Sequence, residues 1–349
     1  MTTDRSHPDD TPAILRSYLD GVETAIDELL CPEDPDLGVM LRYHMGRVDE
    51  AGRPSSLSQG KRLRPALCMF ACEAVGGAPE QALPAAAAIE LVHNFSLIHD
   101  DIQDGDLQRH HRPTVWAVYG KPQAVQAGNA MRMLADSGLR RLMEAHNESS
   151  VAAACSRALS EAYLEMIEGQ YLDIDFEGRT DVDTASYLRM IGLKTGALIR
   201  CSMYMGALAG GGDADTVAAM ARCGSHIGLV FQIRDDYLGI WGREDETGKP
   251  AGNDLRSKKN SLPVVYGLEH GGGVEREHIQ SVYAKEHVDD SDVASLIELL
   301  ESLGAPAYMQ SLAERQAALV EDALSGVRTS EGCREELREL VHFLLTRDR

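Results

Sequence analysis

Residues 84–104 read PAAAAIELVHNFSLIHDDIQD, and this stretch decides the fold. After the proline that opens it, the segment contains no residue that breaks a helix, and its alanines and leucines favour helical structure. It therefore predicts one long helix whose last turn carries Asp100, Asp101 and Asp104. Because residues three and four apart share a helix face, the three carboxylates are expected to project to one side.

The same helical pattern recurs along the chain. The spacing of apolar residues predicts further helices over residues 15–30, 123–145, 150–176, 184–208 and 214–241, and three or four more in the C-terminal third. No alternation of apolar and polar residues is long enough to require a sheet, and no internal repeat is visible. The sequence therefore predicts one all-α domain over residues 12–349, after a disordered tail of residues 1–11.

The composition restricts the classes of partner. The formal net charge of −21 should repel nucleic acids and anionic lipid surfaces. No apolar stretch reaches the roughly 20 residues of a membrane helix, the first residues are polar, and the seven cysteines contain no CxxC pair. We therefore expect a cytoplasmic protein with reduced thiols and no stable membrane insertion. If its substrate is an anion, so acidic a protein needs metal cations between itself and that substrate.

A second acidic pair ends another predicted helix. Residues 231–236 read FQIRDD, and apolar residues flank Asp235 and Asp236. The first cluster, taken alone, is also explained as a solvated acidic helix end. The second is harder to explain in this way, because adjacent aspartates in an apolar helix are costly to bury without partners. Two such clusters on facing helices would hold Mg²⁺ ions, and a diphosphate would bridge the metals. Basic residues that suit a diphosphate lie around both clusters: Lys61, Arg64, Arg109, Arg112, Lys194, Lys249, Lys258 and Lys259.

These motifs resemble those of the trans-isoprenyl diphosphate synthase, or polyprenyl synthetase, family. Six of them occur in the family's order: GKRLRP at 60–65, HDDIQDGD at 99–106, GQYLD at 169–173, KTGAL at 194–198, FQIRDD at 231–236 and GKPAGNDLRSKKNSLP at 248–263. The resemblance runs from about residue 55 to 265 and more weakly to the C-terminus. It implies the isoprenoid synthase fold, about a dozen helices around a deep central cavity, and a homodimer.

The resemblance also implies the activity, that of a short-chain enzyme similar to farnesyl or geranylgeranyl diphosphate synthases. Such an enzyme condenses isopentenyl diphosphate head to tail with an allylic diphosphate and releases an all-trans C15 or C20 prenyl diphosphate. Mg²⁺ is the implied cofactor, with about three ions when substrate is bound. The cations stabilise the departing diphosphate, and an apolar cavity keeps water from the carbocation.

The resemblance carries roles over by position. It implies that Asp100, Asp101, Asp104, Asp235 and Asp236 bind the metal and, with Lys194, act in catalysis, while Gln170 and Asp173 lie nearby. It implies that isopentenyl diphosphate is bound by Lys61, Arg64, His93 and His110. It implies that the allylic diphosphate is bound by Arg109, Lys194, Thr195, Gln232, Lys249 and Lys259. Arg347 and Arg349 are candidates for the family's basic tail, which closes over the site.

Three positions depart from the family pattern. Gly239 stands where the second cluster would have its last aspartate, and Asn129 replaces an aspartate. His110 replaces an arginine, so it is expected to bind isopentenyl diphosphate more weakly and in a pH-dependent way. These changes leave open a relative that cyclises a prenyl diphosphate or transfers it to another acceptor. Retention of Lys61, Arg64 and His93 favours condensation. An inactive partner subunit is the non-enzyme alternative.

Phe95 is the candidate for limiting product length. It lies five residues before the first aspartate, about one helical turn deeper, and Ser96 follows it. A bulky ring below the metal site is the family's usual floor for the growing chain, so products of C30 or more are not expected. Packing in the protein core is the alternative explanation for Phe95.

Overall fold

The computed structural model describes residues 11–55, 60–145, 149–243, 251–327 and 329–347. Apart from Thr11, the predicted disordered tail lies outside the described residues. Within these ranges the chain forms the α-helices α1 (Ala13–Ser17), α2 (Leu19–Leu29), α3 (Pro35–His44), α4 (Leu63–Ala74), α5 (Leu83–Asp104), α6 (Val115–Tyr119), α7 (Lys121–Ala145), α8 (Ser149–Phe176), α9 (Thr184–Ile191), α10 (Ala197–Ala209), α11 (Ala214–Trp241), α12 (Asn253–Arg256), α13 (Leu262–His270), α14 (Gly273–Tyr283), α15 (Asp290–Ser302), α16 (Ala305–Leu324) and α17 (Glu331–Thr346).

Four shorter elements lie between these helices. A 3₁₀ turn covers Pro79–Ala82, and a π-helical turn, Gly192–Gly196, joins α9 to α10. Strands β1 (Gln108–Arg109) and β2 (Arg112–Pro113) form an antiparallel hairpin directly after α5. The predicted all-α class is confirmed. The hairpin was not predicted, because strands of two residues are too short to show an alternation of apolar and polar residues.

Most predicted helices begin and end within two residues of the observed ones. The helix predicted over residues 84–104 is α5, and it ends at Gly105, whose φ of 71° lets its N–H bond to the Asp101 carbonyl. The predicted first helix is divided into α1 and α2 at Tyr18. The helix predicted over 184–208 is interrupted by the π-helical turn, a single-turn distortion that hydrophobic spacing does not reveal.

The chain divides into two compact units. The first unit comprises Met1–Ser160, Cys201–Met220 and Arg328–Glu336. Here α5 packs most extensively against α7 and also against α2 and α4. The run Ala85–Ala88 is fully buried, because side chains this small let neighbouring helices approach α5 closely. The packing fixes the helix that ends in the first acidic cluster.

The second unit comprises Glu161–Arg200, Ala221–Val327 and Leu337–Arg349. One buried cluster joins α9, α11, α13 and α16, and another joins α11 to the helices from α12 to α16. Ile233 and Ile240 of α11 belong to these two cores, one on each side of the second acidic pair. Among the helices that the structure describes, none combines the length and hydropathy of a transmembrane segment. The single domain over residues 12–349 stays a prediction.

Candidate functional site

The first acidic cluster has one buried carboxylate and two more accessible ones. Asp101 is 1% exposed, Asp100 is half-buried and Asp104 is exposed. Arg109 holds the buried carboxylate, with its Nε and Nη2 each 2.8 Å from Asp101 Oδ1. Burial raises the pKa of Asp101, and the Arg109 guanidinium opposes that rise. The cluster therefore combines a carboxylate anchored by an arginine with two that reach the surface.

Arg109 reaches Asp101 because the β1–β2 hairpin turns the chain back after α5. The two residues of its turn, His110 and His111, have positive φ angles of 49° and 60°. Two-residue hairpin loops favour such angles because they match the twist of the strands, but they usually use asparagine and glycine. Two histidines give no turn signal in the sequence, so the hairpin and the Arg109–Asp101 pair were both missed. His110 lies exposed at this turn.

A buried ionic network lies under the GKRLRP loop. Lys61 is exposed and Arg64 is half-buried, whereas Arg62 is 7% exposed and adopts a φ of 48° just before α4. Arg62 Nε donates to Glu23 Oε1 at 2.7 Å, and its Nη1 donates to Glu90 Oε1 at 2.6 Å. Glu90 belongs to α5, so the network ties the loop to the helix of the first cluster. Sequence reasoning missed it.

Two neutral histidines adjoin this network. Asn94 Nδ2 donates to Glu90, so its Oδ1 accepts from His44 Nε2 at 3.1 Å. Burial lowers the pKa of His44 to about 3. Burial, with Arg64 and Arg109 nearby, lowers the pKa of His93 well below its usual value. In the absence of a bound anion, both imidazoles are therefore uncharged at neutral pH.

The candidate chain-length residues lie in the middle of α5. Phe95 is 6% exposed, and its ring meets His99 edge to face with centroids 4.7 Å apart. Ser96 is half-buried, and its hydroxyl donates to the His93 carbonyl at 2.7 Å. Asn129, the departure on α7, is exposed. The position of Phe95 is compatible with a floor for the product and with core packing.

The second acidic cluster has one aspartate saturated by neutral donors. Asp236 is 1% exposed and accepts hydrogen bonds from the Tyr187 hydroxyl at 2.6 Å, Gln232 Nε2 at 3.0 Å and the Leu262 N–H at 3.2 Å. Burial raises its pKa to about 6, although Lys259 and the hydrogen bonds act against the rise. Asp235, beside it, is half-buried.

The π-helical turn connects the KTGAL motif to this cluster. Thr195 Oγ1 donates to Gln232 Oε1 at 2.8 Å, which continues the chain of hydrogen bonds to Asp236. Lys194 forms an ion pair with Asp173. A Cβ built on Gly169 would lie 2.2 Å from the Lys194 nitrogen, so only glycine lets α8 approach the turn this closely. Single π turns occur often at functional sites.

Cations gather at the second cluster. Desolvation disfavours the charged form of Lys259, but Asp254 and Asp236 outweigh it and raise the pKa of that ammonium. Arg347, 8% exposed, forms an ion pair with Asp235, and its guanidinium lies 4.3 Å from the centroid of the Phe231 ring. The predicted basic tail thus reaches this cluster through Arg347. Lys249 and Arg349 lie outside the described residues.

The residues fit a metal that takes part of its coordination from substrate. In the described part of the chain, no three His, Cys, Asp or Glu side chains form a ready-made metal site. Mg²⁺ prefers carboxylate oxygens, keeps several waters and uses substrate phosphates, so a few carboxylates of each cluster suffice. That the two clusters face each other stays a prediction.

The comparisons with known proteins agree over most of the chain. The family model described as polyprenyl synthetase matches residues 48–300. A (2E,6E)-farnesyl diphosphate synthase from Mycobacterium bovis is 41% identical over 317 residues, which cover 90% of this chain and 87% of that protein. A geranylgeranyl diphosphate synthase from Mycobacterium tuberculosis is 39% identical over 285 residues, which cover 81% of this chain and 80% of that protein. A crystal structure of a polyprenyl synthetase from Streptomyces coelicolor matches with a TM-score of 0.90 and 36% identity. The match covers 96% of this chain and 99% of that one.

Proposed function

The chain belongs to the polyprenyl synthetase family and is a prenyltransferase, and on that premise we propose that it condenses isopentenyl diphosphate with an allylic diphosphate. The observation that carries the proposal is the gathering of cationic side chains at both acidic clusters. Arg109 forms an ion pair with Asp101, and the charge of Lys259 acts on Asp236. A diphosphate that is bound together with metal ions requires carboxylates to hold the metal and cationic side chains to hold the phosphates.

Prenyl diphosphate synthases of this family use a divalent metal, and we propose Mg²⁺ here, with about three ions when substrate is bound. When bound, the metal would neutralise charge on the departing diphosphate. The five predicted ligands, Asp100, Asp101, Asp104, Asp235 and Asp236, would hold it, and the carboxylates of Asp100, Asp104 and Asp235 are the more accessible ones. The buried carboxylates act on neighbouring side chains, since Asp101 holds Arg109 and Asp236 holds Gln232.

The remaining residues bind and orient the substrates. Lys194, Thr195, Gln232 and Lys259 would hold the allylic diphosphate, with Arg109 contributing from the hairpin. Isopentenyl diphosphate would be held by Lys61, Arg64, His93 and His110. The allylic C–O bond breaks, and the diphosphate leaves with the bonding pair. The double bond of isopentenyl diphosphate then attacks the allylic carbon, and a proton passes to the released diphosphate.

The proposed product is an all-trans C15 or C20 diphosphate, with Phe95 as the floor of the chain. Relatives named for farnesyl and geranylgeranyl products support this range. Phe95→Ala is expected to lengthen the product by at least one isoprene unit, measured by mass analysis. Ile89→Ala is the control, because it truncates a fully buried side chain on another face of α5. Identical product profiles for wild type and Phe95→Ala would leave Phe95 as core packing.

We also propose that the enzyme is a homodimer that uses α8. Leu164, Ile167, Tyr171 and Ile174 are spaced three or four residues apart and are 57%, 42%, 68% and 43% exposed. Such an apolar stripe on one helix face fits a self-complementary contact between two copies. Leu164→Glu should yield monomers by sedimentation velocity, and a monomeric wild type would refute the dimer. A cytoplasmic location stays a prediction.

A product assay tests the activity. Purified protein would be incubated with Mg²⁺ and isopentenyl diphosphate, with dimethylallyl, geranyl or farnesyl diphosphate supplied separately. A longer linear diphosphate that disappears with EDTA is expected. A cyclic hydrocarbon formed from one allylic substrate alone would replace condensation by cyclisation. Binding of diphosphate without turnover would indicate an inactive partner subunit.

A further inference from the structure

Gly239 occupies the position where the second cluster lacks an aspartate, and another carboxylate fills the space beside it. Gly239 lies in the last turn of α11, where glycine weakens a helix relative to alanine. A Cβ built on Gly239 would lie 2.2 Å from Oδ2 and 2.6 Å from Cγ of Asp254, distances that real Cβ atoms essentially never show. Asp254 can lie against α11 only because position 239 has no side chain.

Backbone contacts hold Asp254 in this place. The Gly252 N–H donates to the Ile240 carbonyl at 2.9 Å, which ties the start of α12 to the end of α11. Leu255, the next residue after Asp254, is fully buried in the core. The Lys259 N–H donates to the Asp254 carbonyl, also at 2.9 Å. These contacts fix the backbone of Asp254 beside α11, and its side chain makes the close approach to Gly239.

The electrostatics group Asp254 with the second cluster. Against the effect of desolvation, four carboxylates raise the pKa of Lys259: Asp254 first, then Asp236, Asp173 and Asp235. Asp254 also contributes to the raised pKa of Asp236. Its carboxylate thus acts on the same lysine and the same buried aspartate as the members of the cluster do.

We propose that Asp254 supplies, from α12, the carboxylate that position 239 lacks, and that it positions Lys259 beside the second cluster to receive the allylic diphosphate. This inference rests on the proposed function and deepens it. Asp254 is a positioning residue, because it acts through Lys259 rather than on the reacting atoms. Gly239 then takes part in the site as the gap that admits this carboxylate.

Three kinds of variant separate this role from ordinary packing. Asp254→Asn removes the charge and keeps the shape. Gly239→Ala keeps every charge but drives the Asp254 carboxylate away from α11. The double variant Gly239→Asp with Asp254→Gly moves the carboxylate back to α11 and is compared with Asp254→Gly alone. Asp215→Asn, at an exposed aspartate in the first turn of α11, controls for loss of charge.

The first readout is the binding of inorganic pyrophosphate with Mg²⁺, measured by calorimetry. Asp254→Asn and Gly239→Ala should each weaken it about tenfold, the size typical when the partner of a binding residue is lost. The double variant should bind more tightly than Asp254→Gly, and Asp215→Asn should match wild type. In steady-state kinetics, the KM for geranyl diphosphate should rise while the KM for isopentenyl diphosphate stays nearly constant.

Two results would overturn the inference. One is pyrophosphate affinity in Asp254→Asn equal to that of Asp215→Asn, and the other is a double variant no better than Asp254→Gly. Thermal unfolding without ligand identifies any variant that has lost its fold, and Gly239→Ala then decides, since it retains all charges. If the wild-type enzyme does not elongate an allylic diphosphate to a longer product, the proposed function fails. The pyrophosphate titration still reports on the role of Asp254 in that case.

Discussion

Asp101 and Asp236 are equally buried, at 1% exposure, but different partners satisfy them. Asp101 is held by a guanidinium, that of Arg109. Asp236 accepts hydrogen bonds from a phenol, an amide and a backbone N–H, and the charge of Lys259 acts on it as well. A charged partner favours the ionised carboxylate directly, whereas neutral donors compensate desolvation only in part. Burial raises the pKa of both carboxyls, and at Asp236 it outweighs the charge of Lys259 and the hydrogen bonds and brings the pKa to about 6.

The neighbours of the two buried aspartates differ in a complementary way. In the first cluster, Asp104 is exposed at the end of α5. In the second, Asp235 is paired with Arg347 and the surrounding carboxylates act on Lys259. We infer that solvent reaches a carboxylate of the first cluster at Asp104, whereas Arg347 and Lys259 act on both aspartates of the second. Substitutions in each cluster test this contrast.

The largest effect is expected where a carboxylate is exposed. Asp104→Asn should lower kcat about 10³-fold, because one ligand of the ion that stabilises the departing diphosphate is lost. The melting temperature should hardly change, since the side chain lies outside the core. Asp106→Asn is the control, because it removes an equally exposed charge two residues away. Turnover by Asp104→Asn close to that of Asp106→Asn would contradict a metal-binding role.

A pH-dependent effect on stability is expected at Asp236. Its pKa is raised from 3.8 to about 6 in the folded protein, so the native state retains a proton that the unfolded state releases. The stability that this proton provides is present at acid pH and is lost as pH rises through about 6. Relative to Asp236→Asn, wild type should therefore lose about 2 kcal/mol of unfolding free energy between about pH 4.5 and pH 7.5.

Urea unfolding of both proteins at the two pH values measures this difference. Asp215→Asn, which removes an exposed carboxylate, should track wild type at both values. A stability difference between wild type and Asp236→Asn that does not depend on pH would mean that Asp236 stays ionised throughout. The hydrogen bonds and the charge of Lys259 would then offset the burial of Asp236 completely, and the contrast between the two aspartates would fail.

The sequence predicted what repeats locally or matches a motif. Helical spacing located α5, α7, α8 and α11, and the motif order indicated the family. Contacts between residues far apart in the chain could not be predicted from the sequence, because no local pattern encodes them. Arg62 contacts Glu90, 28 residues away, although its motif suggested only a basic loop. Gly239 was recognised as a missing aspartate, but the approach of Asp254 depends on how the chain returns to α11.

The network around Arg62 tests whether charged partners also position substrate groups. Glu90→Gln should raise the KM for isopentenyl diphosphate about tenfold, because weakening one charge-assisted bond lets the loop with Lys61 shift. The KM for the allylic diphosphate should remain unchanged. The control is Glu28→Gln, which weakens a surface ion pair with Arg141. Equal changes in both KM values would indicate general loss of structure instead of loop positioning.

The smallest effect concerns the hairpin that brings Arg109 to Asp101. His111 has a φ of 60°. This backbone conformation costs a residue with a side chain about 1 kcal/mol of folding free energy that glycine does not lose. His111→Gly should therefore raise the unfolding free energy by about 1 kcal/mol, whereas His111→Ala, which keeps the strain, should leave it unchanged. Urea unfolding distinguishes the two. An equal gain in both variants would trace the effect to the imidazole, and the turn would then hold Arg109 without backbone strain.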